Sequence, residues 1–192
     1  MRVRVLLVAL LGAGLLATAG PEGALLPAAA GELVTCAEGG PDWSASQPPV
    51  NLRHIFCGET NRRGRAVGYH ALAGTREPGE ARIEAVLEPL DRHGVYRARV
   101  CILARGEPEQ EAGGREVGCK RSTLFPDAWS EARVLAAILG AYRQAVGDGN
   151  VDARGHWRGP SGAGFDIEGW LLPTPAGAPP RINTAWPVYA GE

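Results

Sequence analysis

Two histidines and one lysine are the side chains of this sequence best suited to moving protons and holding negative charge. His54 lies in Arg53-His54-Ile55-Phe56-Cys57-Gly58-Glu59, and His70 closes Ala66-Val67-Gly68-Tyr69-His70. Between them runs a basic stretch, Asn61-Arg62-Arg63-Gly64-Arg65. General acid–base cleavage of a phosphodiester calls for such a set. One imidazole takes a proton from the nucleophile and the other gives one to the leaving oxygen. Guanidinium groups fork onto phosphate oxygens. On spacing alone, two structural histidines beside a solvated basic loop is the simpler reading. Lys120 is the sole lysine among 20 basic residues. It marks either drift toward arginine or a position that needs a compact ammonium. The remaining histidines read as loop residues: His93 in a turn before a strand, and His156 in Arg154-Gly155-His156-Trp157-Arg158-Gly159.

The elements that must hold these groups follow from periodicity. Ala81–Leu87 alternates weakly as a strand. Val95–Leu103 alternates as a second strand, with Val95, Arg97, Arg99 and Cys101 on one face and Tyr96, Ala98, Val100 and Ile102 on the other. Glu116–Cys119 reads as a further strand, with Lys120 at its end. Ser130–Val146 is the clearest helix: Ser130 is an N-cap, Glu131 suits the first turn, and Val134, Leu135, Ile138, Leu139 and Tyr142 form one apolar face. Gly147-Asp148-Gly149-Asn150 stops it. Gly164–Leu172 and Arg181–Tyr189 are the last strands. The expected class is α+β, an antiparallel sheet packed on helices.

Composition bounds what such a fold could bind. The 192 residues carry 20 basic and 21 acidic side chains, a net charge of −1, which excludes a uniformly basic nucleic-acid binder. Gly and Pro together make 42 residues without a period, so the fold is loop-rich and not collagenous. The N-terminus has a positive start, an uncharged apolar run from Val5 to Ala19, and Ala17-Thr18-Ala19 as a small-residue cleavage site. Residues 1–19 therefore read as a signal peptide. A membrane anchor is the weaker alternative, because the run breaks at Gly20-Pro21-Glu22. Residues 20–49 read as an Ala/Gly/Pro-rich linker and 50–192 as the folded domain. Export implies a secreted or periplasmic protein, with no membrane contact beyond the signal peptide.

Export also changes the meaning of Cys36, Cys57, Cys101 and Cys119, an even number in an oxidising compartment. Three pairings exist. Cys101 and Cys119 flank a polar, Gly-rich segment whose midpoint suits a hairpin, so Cys101–Cys119 is the favoured pair, leaving Cys36–Cys57. A zinc site is disfavoured because no C-x-x-C pair is present.

The residues around His54 and His70 resemble the first half of the bacterial EndoU nuclease domain. Lys120-x-Ser122-Thr123-x-Phe125-Pro126-x-x-Trp129-Ser130 resembles its middle motif. Gly164-x-x-Ile167-Glu168-Gly169-Trp170 and Ile182-Asn183-Thr184-Ala185-Trp186-Pro187-Val188-Tyr189 resemble its closing strands. The match is collinear over about residues 50–189. The resemblance implies an endoribonuclease with a fold related to the barnase, colicin and RelE-like ribonucleases. It implies attack of the RNA 2′-hydroxyl on phosphorus, giving a 2′,3′-cyclic phosphate and a 5′-hydroxyl. It implies no obligatory cofactor, with manganese at most a stimulant. His70 would be the base and His54 the acid, with Lys120 stabilising the phosphorane charge and Thr184 contacting base or phosphate. Arg62, Arg63, Ser122, Thr123 and Trp186 would bind substrate, with Arg53, Arg65, Arg76, Arg121, Arg154 and Arg158 as further sources of positive charge. Trp186 stands where relatives usually carry a tyrosine; it can stack on a base but offers no hydroxyl. Many relatives are toxic ends of delivery proteins, so an immunity protein is an expected partner beside RNA. The competing readings are a non-catalytic RNA- or partner-binding module on the same scaffold, and a hydrolase using Cys57 as nucleophile.

Overall fold

A computed structural model describes Cys36, Gly40 and residues 42–72, 81–103, 116–175 and 177–191. The signal-peptide and Arg76 readings lie outside the described residues. So does most of the linker, but residues 42–49 are described and join the domain: Trp43 bridges Asn51, and Asp42 accepts the Leu52 amide at 2.9 Å. Among the described residues no helix is long and apolar enough to cross a membrane.

Among the described residues the fold is α+β, with two three-stranded antiparallel sheets and one long helix. A single π-helical turn, Arg53–Cys57, comes first, closed by the Gly58 amide on the Arg53 carbonyl at 3.0 Å. A small hairpin follows, β1 (Glu59–Thr60) and β2 (Ala66–Val67). The first sheet has the order β3 (Ala81–Glu88), β4 (Tyr96–Leu103), β5 (Glu116–Leu124). The helix α1 spans Glu131–Gly147, with the Ser130 hydroxyl accepting the Arg133 amide as the N-cap reading expects. The second sheet has the order β6 (His156–Pro160), β7 (Asp166–Leu171), β8 (Ile182–Pro187). Two sequence readings are corrected. His156 is the first residue of a strand and not part of a loop. The strand begun at Glu116 runs on to Leu124, so Lys120 stands in its middle. His93 does lie in a turn, but its ring packs 6.0 Å from that of Phe165.

Each sheet carries its own core. Tyr69, Tyr96, Ala98, Val100, Ile102 and Leu124 fill the inner face of β3–β5, the side that the alternation of Val95–Leu103 assigned to the interior. The apolar stripe of α1 (Val134, Ile138, Ala141, Tyr142) packs on Trp157, Ile167 and Ala185 of the second sheet, together with Ile55 and Phe56 from the π-turn. Tyr142 meets Trp157 edge-on at 5.5 Å. Tyr and Trp at this contact add edge-to-face attraction to their area burial.

Cystines fasten both halves. Cys101 pairs directly across from Cys119 in β4–β5 and is bonded to it, and Cys36 is bonded to Cys57. Loops of this size, separated by 18 and 21 residues, lower the entropy of the unfolded chain by roughly 3 kcal/mol each in the chain-entropy account. The bridges place Cys57 in the turn that carries His54 and Cys119 next to Lys120. Cys57 is therefore no free nucleophile.

Helix and sheet approach closely at Gly159, where an added Cβ would overlap the Ala141 carbonyl. Gly159→Ala is expected to force α1 away from β6 and cost about 1–3 kcal/mol. A melting temperature lowered by several degrees, with the far-ultraviolet spectrum retained, checks this.

Candidate active site

The two histidines are set by one backbone arrangement. The segment 68–71 runs against the π-turn. The Tyr69 amide donates to the His54 carbonyl at 2.7 Å, and the His70 amide to the Ile55 carbonyl at 2.7 Å. The approach requires Gly68: its φ is +77°, and a Cβ there would overlap the His54 carbonyl oxygen. Tyr69 also adopts a positive φ, 61°, a costly conformation for a bulky residue that the surrounding contacts must impose. The Phe125 amide then donates to the His70 carbonyl at 2.8 Å, tying this segment to the end of β5. Asn51 caps the turn from the other side. Its side-chain oxygen accepts the His54 amide at 3.0 Å, while its amide reaches Asn183 of β8 at 3.5 Å.

Both histidines are buried, and their rings stack with centroids 5.9 Å apart. They line a cleft of about 350 Å³ with Lys120, Arg121, Ser122, Thr123, Thr184 and Trp186. The sequence expectation placed His54, His70, Lys120, Ser122, Thr123, Thr184 and Trp186 in one site, and the fold brings all seven to this cleft from four separate segments. Arg62 and Arg63 are exposed at the tip of the β1–β2 hairpin and do not line it. Arg121, read only as an additional charge, does.

Hydrogen bonding distinguishes the two imidazoles. His70 Nδ1 faces the Thr123 carbonyl at 3.1 Å and the Ser122 hydroxyl at 3.1 Å. The carbonyl can only accept. The Ser122 proton points to the Tyr69 carbonyl at 2.7 Å, so its oxygen accepts too, also from Lys120 Nζ at 3.2 Å. His70 Nδ1 must therefore carry the hydrogen, which leaves Nε2 with its lone pair. His54 Nδ1 instead meets the Glu59 carboxylate at 2.7 Å. A carboxylate accepts, so this Nδ1 also donates, and His54 Nε2 is the position at which a proton is carried or released. Glu59 escaped sequence reasoning. Glu59 opens β1 just beyond the turn, after Gly58 at φ +70°, and this exit from the turn sets it alongside His54, a placement that a search for helical periodicity does not detect.

Charge follows the same geometry. Burial holds the His70 pKa well below 6.5, helped by the positive charge of Lys120 and by His54, against the Thr123 hydrogen bond that raises it. His70 is thus neutral at pH 7. Burial also lowers Lys120 to about 8, so it remains mostly charged at neutral pH. Its ammonium is anchored by the Gly68 carbonyl at 2.7 Å. The Thr184 hydroxyl is buried at the cleft with no hydrogen-bond partner among the described residues. Trp186 sets its ring 6.0 Å from His70. As for metals, the described residues hold one cluster of three close ligand types, Glu84 with Cys101 and Cys119, and the disulfide removes both thiolates from it.

Against known proteins, the family described as bacterial EndoU nuclease matches residues 50–189. A protein named "Toxin" from Bacillus cereus is 38% identical over 94 residues, which is 49% of this chain and 16% of that protein. The chain thus corresponds to a small part of that relative's length. No solved structure matches.

The titration of His70 links the site to stability. Its folded pKa lies below the unfolded value of 6.5. As pH falls through 6.5, the unfolded chain takes up a proton that the folded chain refuses, and stability present above that pH is lost. Melting temperature is expected to drop on acidification from pH 7 to 5, and to drop less in His70→Gln. Equal slopes in the two proteins would contradict this assignment.

Proposed function

The chain belongs to the bacterial EndoU nuclease family, and we propose that it is an exported endoribonuclease that cuts RNA by attack of the ribose 2′-hydroxyl on the neighbouring phosphorus. The observation that supports this reading is the pair of stacked histidines at one cleft, His54 with its Nδ1 on the Glu59 carboxylate and His70 with its Nδ1 on the Thr123 carbonyl. His70 Nε2, unprotonated and held neutral by burial, takes the 2′-hydroxyl proton. The 2′-oxygen–phosphorus bond forms as the bond to the 5′-oxygen breaks. His54 Nε2 delivers a proton to that departing oxygen, its ring steered by Glu59. The products are a 2′,3′-cyclic phosphate and a 5′-hydroxyl. Lys120 places a fixed positive charge beside the phosphoryl oxygens, where charge develops in the transition state. The free Thr184 hydroxyl offers a hydrogen bond to base or phosphate, and Trp186 a stacking surface for the base.

Ser122 works through its neighbours: its one hydroxyl steadies both His70 and Lys120. Arg121 is the arginine poised at the cleft. Arg62 and Arg63 reach phosphates flanking it. No step calls for an obligatory metal; manganese acts at most as a stimulant. Kinship of fold with barnase-, colicin- and RelE-like ribonucleases fits the antiparallel sheet packed on α1. Two disulfides suit an oxidising location outside the cytoplasm. A relative named "Toxin" supports a toxic role; foreign RNA as the target and an immunity protein as the partner complete the proposal.

The deciding experiment incubates the oxidised protein with a uridine-containing oligoribonucleotide in EDTA. Cleavage to a 2′,3′-cyclic phosphate end is expected, reduced 10²-fold or more in His70→Ala and in His54→Ala. Cleavage that appears only with manganese would replace the metal-independent part of the reading. RNA binding without cleavage by a folded protein would favour a binding module. Replacing both Arg62 and Arg63 with Ala is expected to raise KM and flatten its salt dependence, with kcat little changed; unaltered KM would remove their role.

A further inference from the structure

We infer that the outward face of β6–β7–β8 is a second nucleotide subsite, where a base flanking the scissile one stacks on Trp170 and His156. The inference rests on the ribonuclease reading and extends the substrate path beyond the cleft. Register supplies the first argument. Thr184 pairs with Trp170 across β7–β8, and Trp170 pairs with His156 across β6–β7. Residues paired in an antiparallel sheet share a face. The cleft residue Thr184 therefore begins a row that continues as Trp170 and His156, over about two strand spacings or roughly 10 Å. Trp186, Glu168 and Arg158 form the next row on that face. The opposite face, with Trp157, Ile167 and Ala185, is the buried one.

Two aromatic rings thus stand on the solvent side of a sheet whose core is already filled. The His156 and Trp170 centroids lie 4.7 Å apart, and both residues are half-buried. The Arg154 guanidinium lies 6.0 Å from the Trp170 ring. At the far end of the row, His156 and Arg158 line a cleft of about 570 Å³.

Charge decides which part of a nucleotide this face takes. Arg158 is held by Asp166 at 2.8 Å and by Glu168 at 3.1 Å, and Arg154 lies 3.6 Å from Asp152. These carboxylates offset the guanidinium groups, so the face is a poor phosphate site. Stacking of a base on an aromatic ring needs no net charge and tolerates any sequence. The face therefore receives bases, while phosphates follow Lys120 in the cleft and the exposed Arg62 and Arg63 of the hairpin.

The test compares two substrates on the oxidised full chain: the one-base ester uridine 3′-(4-nitrophenyl phosphate) and a hexaribonucleotide with a single uridine. The readout is the ratio of their kcat/KM values. The hexamer's advantage is expected to fall about tenfold in Trp170→Ala, to fall in His156→Ala, and to be largely restored in Trp170→Phe. A purely structural effect would lower both substrates together and leave the ratio unmoved; an unchanged ratio in both alanine variants overturns the subsite. A second arm needs no turnover. Binding of the hexamer with 2′-deoxyuridine at the scissile position, followed by fluorescence anisotropy, is expected to weaken to the same degree in the variants. Should the wild type cleave neither substrate, the ribonuclease reading fails by itself, and this arm still decides the subsite: undiminished binding in Trp170→Ala, or no binding by the wild type, overturns it.

Discussion

The hydrogen bond from the Tyr69 amide to the His54 carbonyl, with its partner from His70 to Ile55, is the constraint on which the site is built. Proton transfer through two imidazoles requires their separation to be fixed within a fraction of an ångström. Side-chain packing alone seldom achieves this between residues on different segments. Here the two segments that carry the rings are laced together through their own backbones, and the lacing is made possible by a missing Cβ at Gly68. A π-helical turn on one side and a positive-φ tyrosine on the other are the local costs of that approach. Such costs persist where the surroundings over-determine them: Tyr69 is fully buried under β4 and β5, and Ile55 and Phe56 lie in the core beneath α1.

From that junction the two sheets contribute different chemistry. The first supplies charge and polarity: Lys120 and Ser122 on β5 hold a cation and a hydroxyl against His70. The second supplies surface: Thr184 and Trp186 on β8, with Trp170 and His156 beyond. Ser122 shows how one small side chain ties such a site together. Its single proton is committed to the Tyr69 carbonyl, and both remaining directions accept, one from the imidazole and one from the ammonium. The tautomer of His70 is thereby decided by an inventory of donors and not by its local pKa.

Much of this was legible in the sequence, for reasons that differ by element. The alternation of Tyr96, Ala98, Val100 and Ile102 survives in β4 because one face is buried and the other wet, so the period of two is enforced. The α1 stripe is equally explicit because a single helix covers a whole sheet. The Cys101–Cys119 bridge followed from the centre of a hairpin, which fixes opposite residues. Strand β6 was missed because His156-Trp157-Arg158-Gly159-Pro160 lacks β-branched residues and ends in a glycine and a proline. Its pairing to β7 overrides a weak local preference. In the site, ordered motifs pointed to His54, His70, Lys120 and Thr184. Spacing could not reveal Glu59, nor that Arg62 and Arg63 would stand outside the cleft, because both depend on a turn of unusual pitch and on the hairpin that leaves it.

The solitary lysine of this sequence has a consequence for reagents. Apart from the chain's α-amine, the protein offers acylating, carbamylating or reductively alkylating agents one primary amine, and it is the one inside the cleft. With its pKa brought down to about 8, Lys120 presents an unprotonated fraction near neutral pH that an ordinary surface lysine does not. Once the α-amine's share is separated by peptide mapping, amine labelling at Lys120 is a footprint of the site itself. The same chemistry that tags most proteins all over their surface would here report whether one cleft is open or filled.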